Sequence, residues 1–88
     1  MQVDSVDKEC AAVVAAIDTY SGCPNLEEPA RNYWRRVSEL SAQSFAATAQ
    51  NTPDPKGARA IAVACHRAAT AIKFANQRCL AGKPPLDQ

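Results

Sequence analysis

The residues with the most informative chemistry are four cysteines, Cys10, Cys23, Cys65 and Cys79, and a single histidine, His66. Cysteines form disulfides, bind metal ions as thiolates, or act as nucleophiles when their pKa is lowered. Zinc sites and thiol oxidoreductases usually contain C-x-x-C, and haem attachment requires C-x-x-C-H. The sequence contains neither pattern. The main alternatives are therefore two disulfides, or four reduced thiols that are buried as small apolar side chains.

His66 lies in a row with Arg59 and Lys73, which stand one heptad to either side of it. A single histidine in a basic row is more typical of a solvent-exposed residue than of a catalytic base. The sequence also lacks a nucleophile elbow, a zinc-protease motif, a P-loop and a dinucleotide-binding fingerprint. We therefore predict a protein that is not an enzyme, with no catalytic residue, no metal ligand and no cofactor.

Three helices must position the cysteines, and hydrophobic periodicity predicts them at about residues 4–20, 26–49 and 57–80. The turn sequences SGCPN and QNTPDPKG separate them, and the C-terminal KPPLDQ cannot continue a helix. Short connections favour an up-down-up topology. The sequence therefore predicts an all-α three-helix bundle in a single domain over residues 1–88, with an irregular tail from about residue 82.

Each predicted helix has an apolar face in which residues recur at spacings of three and four. In the first helix the face contains Val3, Val6, Cys10, Val13, Ile17 and Tyr20, and in the third it contains Ala58, Ile61, Cys65, Ala68, Ile72, Ala75 and Cys79. The second helix has two adjacent rows, one through Leu26, Ala30, Tyr33, Val37, Leu40, Ser44 and Ala47 and one through Trp34, Ser41 and Phe45. Two rows predict that the second helix contacts both of its neighbours.

Polar residues next to these faces predict helix caps and surface ion pairs. We expect Asp4 and Asn25 to cap the N-termini of the first and second helices, and Gly82 to cap the C-terminus of the third. Spacings of four residues predict two ion pairs on the surface of the second helix, Glu27–Arg31 and Arg35–Glu39.

Much of the hydrophobic content is alanine, as in CAAVVAAI, FAATA and ARAIAVAC. Alanine favours helix and close helix packing but buries little area, so a chain of 88 residues has a weak core and needs cross-links. Lys and Arg nearly balance Asp and Glu and are interspersed with them, which gives a net charge of +1. This balance argues against a nucleic-acid-binding domain, because such domains usually have a strongly basic surface.

Helix geometry selects one pairing of the cysteines. Cys65 and Cys79 lie 14 residues apart on one helix, which is about 21 Å and too far for a disulfide. Most of the first helix likewise separates Cys10 from Cys23. In an up-down-up bundle the first and third helices are parallel, and spacings of 13 and 14 residues then place matching cysteines at the same height. The sequence therefore predicts Cys10–Cys65 and Cys23–Cys79, each contributing roughly 2–4 kcal/mol of stability.

Disulfides also predict where the protein is found, because they persist in oxidising compartments. The first ten residues, MQVDSVDKEC, are charged and lack the apolar stretch of a signal peptide. No apolar run reaches the roughly 18 residues that a membrane span needs. We therefore expect a periplasmic or secreted protein whose signal peptide has been removed, without a transmembrane segment.

One row of the third helix, away from its cysteine face, contains Val63, Arg67, Thr70 and Phe74. Exposed apolar residues beside an arginine are typical of a protein interface. We therefore predict that this row is an interface for a protein partner. The alternative is that the second helix or the tail around Leu86 covers it.

These features together predict a non-enzymatic module that binds a protein partner through a helix face, of inhibitor, immunity, exclusion or secretion-accessory type. A cross-linked scaffold lowers the entropy cost of such binding. The alternative is a carrier that holds a small hydrophobic ligand between its helices, or a haem bound through Tyr20, Tyr33 or His66. A third hypothesis is a cytosolic regulator with free thiols.

Overall fold

The computed structural model describes residues 2–50 and 54–83, apart from the side chains of residues 48–50. Three helices account for most of this part of the chain: α1 (Val6–Ser21), α2 (Glu28–Gln50) and α3 (Pro55–Leu80). The prediction of an all-α protein with three packed helices is confirmed, and the described residues form no strand.

The N-terminus of α1 is capped by Ser5, whose Oγ accepts a hydrogen bond from the N–H of Lys8 at 3.3 Å. The prediction that Asp4 caps this helix is wrong. The helix begins at Val6, and the backbone N–H of Asp4 donates to the carboxylate of Glu9 instead. Serine and aspartate are both good N-cap residues, so residue type does not decide which of the two caps the helix. The backbone path before the helix decides it.

Side chains and backbone conformation also fix both ends of α3. The carboxylate of Asp54 accepts a hydrogen bond from the N–H of Gly57 at 2.7 Å. Pro55 occupies the first turn, where its missing N–H leaves no donor unpaired, so the helix begins slightly earlier than predicted. At the other end Gly82 has a φ of +73°, which confirms the predicted glycine cap. The predicted tail falls largely on residues 84–88, outside the described part of the chain.

α1 is the central helix, and it packs against both α2 and α3. In the described residues, no Cα atom of α2 lies within 8 Å of one in α3. The core lies along α1, where Val13 and Ile17 are buried with the Cys10–Cys65 bridge and Ala69 of α3. The predicted apolar face of α1 is confirmed, since its members are all buried or half-buried: Val3, Val6, Cys10, Val13, Ile17 and Tyr20.

Two disulfides join α1 and the turn after it to α3, and both predicted pairings are confirmed. Cys10–Cys65 spans 55 residues of sequence and Cys23–Cys79 spans 56. Nearly equal spans mean that the two helices run parallel and in register. The second bridge is buried with Tyr20 in a smaller cluster at the C-terminal ends of α1 and α3.

Small residues allow α1 and α3 to approach closely. Ala62, Cys65 and Ala69 of α3 are all buried, and the Cα atoms of Cys10 and Cys65 are 4.9 Å apart. The predicted face of α3 is rotated slightly from the observed one, because Ala68 is exposed and Ala69 is buried in its place. Adjacent alanines have the same hydrophobicity, so periodicity alone did not distinguish the two positions.

The prediction that α2 contacts both neighbours is wrong, because no Cα atom of α2 lies within 8 Å of one in α3 in the described residues, and the residues of α2 that reach the core come from both predicted rows. Trp34, Val37 and Phe45 pack against the core. Tyr33 and Leu40 of α2 are 61% and 48% exposed. Tyr33 and Leu40 therefore remain in contact with solvent and do not pack against a neighbouring helix.

Replacing Cys10 and Cys65 together with Ala should leave the protein helical and lower its stability by about 2–4 kcal/mol, because the unfolded chain regains the freedom that the cross-link removes. Urea unfolding followed by circular dichroism measures this change. Wild-type protein in reductant is the control, since it keeps its sulfur atoms and loses both cross-links, and it should be at least as unstable as the variant. An unchanged unfolding midpoint in the variant would contradict the structural role of the bridge.

Candidate functional site

The four predicted interface residues lie together on the side of α3 that faces away from the buried seam. Arg67 and Thr70 are exposed, Val63 is half-buried, and Phe74 is 50% exposed. The hydroxyl of Thr70 donates to the carbonyl one turn earlier on the same helix, at 2.9 Å. This set of four residues is called the α3 outer face.

The α3 outer face is largely uncovered in the described residues, because three of its four residues are exposed and no Cα atom of α2 lies within 8 Å of one in α3. The other predicted cover, Leu86, lies outside the described residues. The exposure of these residues permits a contact with a partner, and the predicted role of the α3 outer face as an interface stays a prediction.

Charge is distributed unevenly over the helices, although the net charge is only +1. The 26 residues of α3 contain Lys56, Arg59, Arg67, Lys73 and Arg78, and they contain no aspartate or glutamate. α1 contains three acidic residues and one lysine. The interpretation that charges are interspersed therefore holds for the whole chain and fails for α3. A charge count for each predicted helix would have found this signal in the sequence.

A mostly apolar cleft of about 450 Å³ lies between α1 and α2. Within the described residues, the only charged groups that line this α1–α2 cleft are two aspartates of α1. One of them, Asp18, also accepts a hydrogen bond from the hydroxyl of Ser38 on α2 at 2.5 Å. The lining consists of four alanines together with Val6, Asp7, Cys10, Val14, Asp18 and Phe45. Hydrophobic periodicity did not predict this cleft, because the alanines that line it lie off the apolar face that the periodicity marked.

A polar cluster joins the N-terminal segment to α1 and α3. Glu9 accepts a hydrogen bond from the N–H of Asp4 at 2.8 Å, and its other carboxylate oxygen lies 3.2 Å from Nδ1 of His66. The hydrogen bond from Asp4 is the main cause that lowers the pKa of the Glu9 carboxyl. His66 and Lys73 lower this pKa as well, while desolvation opposes them. His66, expected to be solvent-exposed, is 43% exposed in its side chain and contacts a largely buried carboxylate.

The turn between α1 and α2 is fastened by two side chains that donate to backbone carbonyls. Nδ2 of Asn25 donates to the carbonyl of Cys79 at 2.8 Å, so this residue binds the end of α3 and does not cap α2 as predicted. The guanidinium of Arg31 donates to the carbonyls of Cys23 and Leu26, both at 3.0 Å. Carbonyls in an irregular turn have no helical partner, which makes them strong acceptors for such donors.

Neither predicted ion pair of α2 forms. Arg31 is engaged by the turn carbonyls, and Glu39 pairs with Arg36 at 3.1 Å instead of with Arg35. Both partners of the observed pair are more than half exposed, at 66% and 62% of their side chains. A pair with this exposure contributes little to stability.

The three residues considered as haem ligands are not brought together. Tyr20 is buried, and its ring packs edge-on against Trp34 at 5.4 Å between centroids. Tyr33 packs on the same indole at 5.3 Å and is mostly exposed. His66 lies apart from these rings, in contact with Glu9 near the other end of α1.

All four cysteines are paired in disulfides, so none is available as a nucleophile or a metal ligand. This pairing counts against a cytosolic regulator with free thiols and indicates an oxidising compartment. No helix in the described residues is long and apolar enough to span a bilayer. No protein-family model, curated protein or solved structure matches the chain, so its function is inferred from its own contacts, burial and charge.

Replacing Glu9 with Gln should make the fold less sensitive to acid. The folded protein lowers the pKa of Glu9 below its ordinary value of 4.5, so its carboxylate stabilises the fold above that value, and this stabilisation is lost as the pH falls through the lowered pKa. We expect a lower urea midpoint for Glu9→Gln than for wild type near neutral pH, and a difference that closes in strong acid. Glu39→Gln is the control, because its ion pair is exposed. A difference that does not vary with pH would contradict the assignment.

Proposed function

We propose that this protein is a non-enzymatic interaction module that binds a protein partner through the α3 outer face. The observation that carries the proposal is Phe74, an aromatic residue 50% exposed beside Arg67 on a helix face that no described element covers. Aromatic residues and arginine are enriched in the buried centres of protein interfaces. A phenylalanine left in water has a free energy cost that a partner would remove by burying the ring.

The scaffold behind this face is rigid, which favours a binding role. α3 is joined to α1 and its following turn at two points, by Cys10–Cys65 and Cys23–Cys79. The hydroxyl of Thr70 is already bonded to its own helix. A surface that is ordered before binding loses less conformational entropy when the partner arrives.

The two disulfides support a finer proposal about location, namely that the protein acts in a periplasm or outside the cell. Both bridges are buried, and small proteins of these compartments often use disulfides to supplement a weak core. Proteins of inhibitor, immunity, exclusion or secretion-accessory type act in such spaces by binding other proteins. The proposed activity therefore fits both the surface and the cross-links.

A second candidate function, a carrier of a small apolar molecule, is favoured by the α1–α2 cleft. Its volume of about 450 Å³ lies within the usual range of ligand pockets, and its lining is mostly apolar. The cleft is not lined by tyrosine or histidine, so it offers an aliphatic or aromatic ligand a site and gives a haem iron no axial ligand.

The binding role of the α3 outer face is tested by photo-crosslinking in the native host. A photoreactive amino acid at Thr70 should give a cross-linked protein adduct, and Phe74→Asp should remove it. The matched control position is Thr19 of α1, which is also exposed and also bonds the carbonyl one turn earlier, at 3.0 Å. The proposal fails if Thr70 gives no adduct, or if Thr19 gives the same one.

The carrier function makes a separate prediction for purified protein. Native mass spectrometry should detect a bound apolar molecule in wild type, and Ala42→Trp should lose it, because the indole fills the α1–α2 cleft. Gln43→Trp is the control, since this neighbouring exposed residue does not line the cleft. Wild-type protein that carries no ligand from its native compartment would exclude this function.

A further inference from the structure

We propose that the partner of the α3 outer face includes a second copy of this chain, which receives α3 in its α1–α2 cleft. This inference rests on the proposed function, because it uses the same face and names what that face binds. The contact is heterologous, since the two copies contribute different surfaces. Such a contact closes into a ring or continues as an open chain of molecules.

The two surfaces have complementary charge. In the described residues, the only charged side chains that line the α1–α2 cleft are Asp7 and Asp18. α3 is basic over its whole length and has no acidic residue. Its outer face presents Arg67 to solvent beside Phe74. The cleft is apolar with an aspartate at each end, and Phe74 is an apolar side chain on a basic helix. Opposite charges therefore face each other when α3 enters the cleft, which favours this contact over one between surfaces of like charge.

The spacing of the groups also matches. Along α1, Val14 follows Asp7 by seven residues and precedes Asp18 by four. Along α3, Phe74 follows Arg67 by seven residues and precedes Arg78 by four. Eleven residues are close to three full helical turns, so each pair of charges lies on one side of its helix and about 16 Å apart.

Parallel docking then places three contacts in register. Arg67 of one copy lies against Asp7 of the other, Phe74 lies against Val14, and the next turn of α3 reaches the Asp18 end of the cleft. Phe45 of α2 lines the same cleft and provides an aromatic edge for the incoming ring. This one contact would remove both the half-exposed ring of Phe74 and the apolar lining of the cleft from water.

The apolar area of the proposed contact is small. Phe74 is the apolar residue of the α3 outer face that this register places against the cleft of about 450 Å³. Such a small apolar area favours a reversible protein contact and is too small for stable insertion into a lipid bilayer. A protein contact is therefore favoured over binding of the basic helix α3 to an anionic membrane. The experiment below distinguishes these two alternatives.

Charge reversal tests the proposed contact in purified protein by sedimentation velocity over a range of concentrations at low salt. Wild type should self-associate, and added salt should weaken the association. Arg67→Glu and Asp7→Lys should each weaken it by about tenfold or more, because each places like charges opposite each other. An equimolar mixture of the two variants should associate again, since Arg67 of the Asp7→Lys chain can meet Asp7 of the Arg67→Glu chain, and the two introduced groups also have opposite charges. Lys8→Glu is the matched control for Arg67→Glu, because this exposed residue undergoes the same change of charge and belongs neither to the cleft nor to the α3 outer face.

The outcomes distinguish this inference from the proposed function. Wild type that stays monomeric at every concentration, or association that Arg67→Glu does not change, would overturn the self-contact. Binding to anionic lipid vesicles without self-association would also overturn it. In each of these cases a Thr70 adduct with a different protein would leave the proposed function standing. Absence of every Thr70 adduct, including one with a second copy, would remove both.

Discussion

The close parallel packing of α1 against α3 is the constraint on which the rest of the structure depends. Alanines and cysteines fill the seam between them, and the two disulfides hold the helices at one relative height, with spans of 55 and 56 residues. Small side chains contribute little hydrophobic free energy, so the chain relies on cross-links to make up the difference. The position of α2 follows, because within the described residues α1 is the helix whose Cα atoms come within 8 Å of those of α2.

This arrangement explains why both outer helices, α2 and α3, present apolar side chains to solvent in the described residues. A closed three-helix bundle would bury Tyr33 and Leu40 of α2 against α3, whereas here both side chains remain exposed. The side of α1 away from the seam lines an apolar cleft with α2, and α3 presents Phe74 to solvent. The α1–α2 cleft and the exposed face of α3 both result from the central position of α1. The uneven distribution of charge makes the cleft acidic at its ends and the α3 face basic.

The connectivity of the disulfides was predictable because it needed only helix direction and cysteine spacing, both of which the sequence contains. The face of α1 was predictable for a similar reason, since its Val, Ile and Tyr residues differ sharply from their neighbours. The rotation of α3 was not, because Ala68 and Ala69 have equal hydrophobicity. The contacts of Glu9 with His66 and of Asn25 with Cys79 join residues distant in sequence, and local patterns contain no information about such pairs.

The order of the four cysteines determines whether the protein stays in one piece after a protease cleaves its backbone. Both bridges connect the part of the chain before α2 to the part after it. A protease that cuts anywhere between Cys23 and Cys65 therefore produces two peptides that remain covalently attached at two points, with the α1–α3 pair still aligned. A single cut in α2 or in the segments on either side of it would release no fragment until a reductant acted on both disulfides.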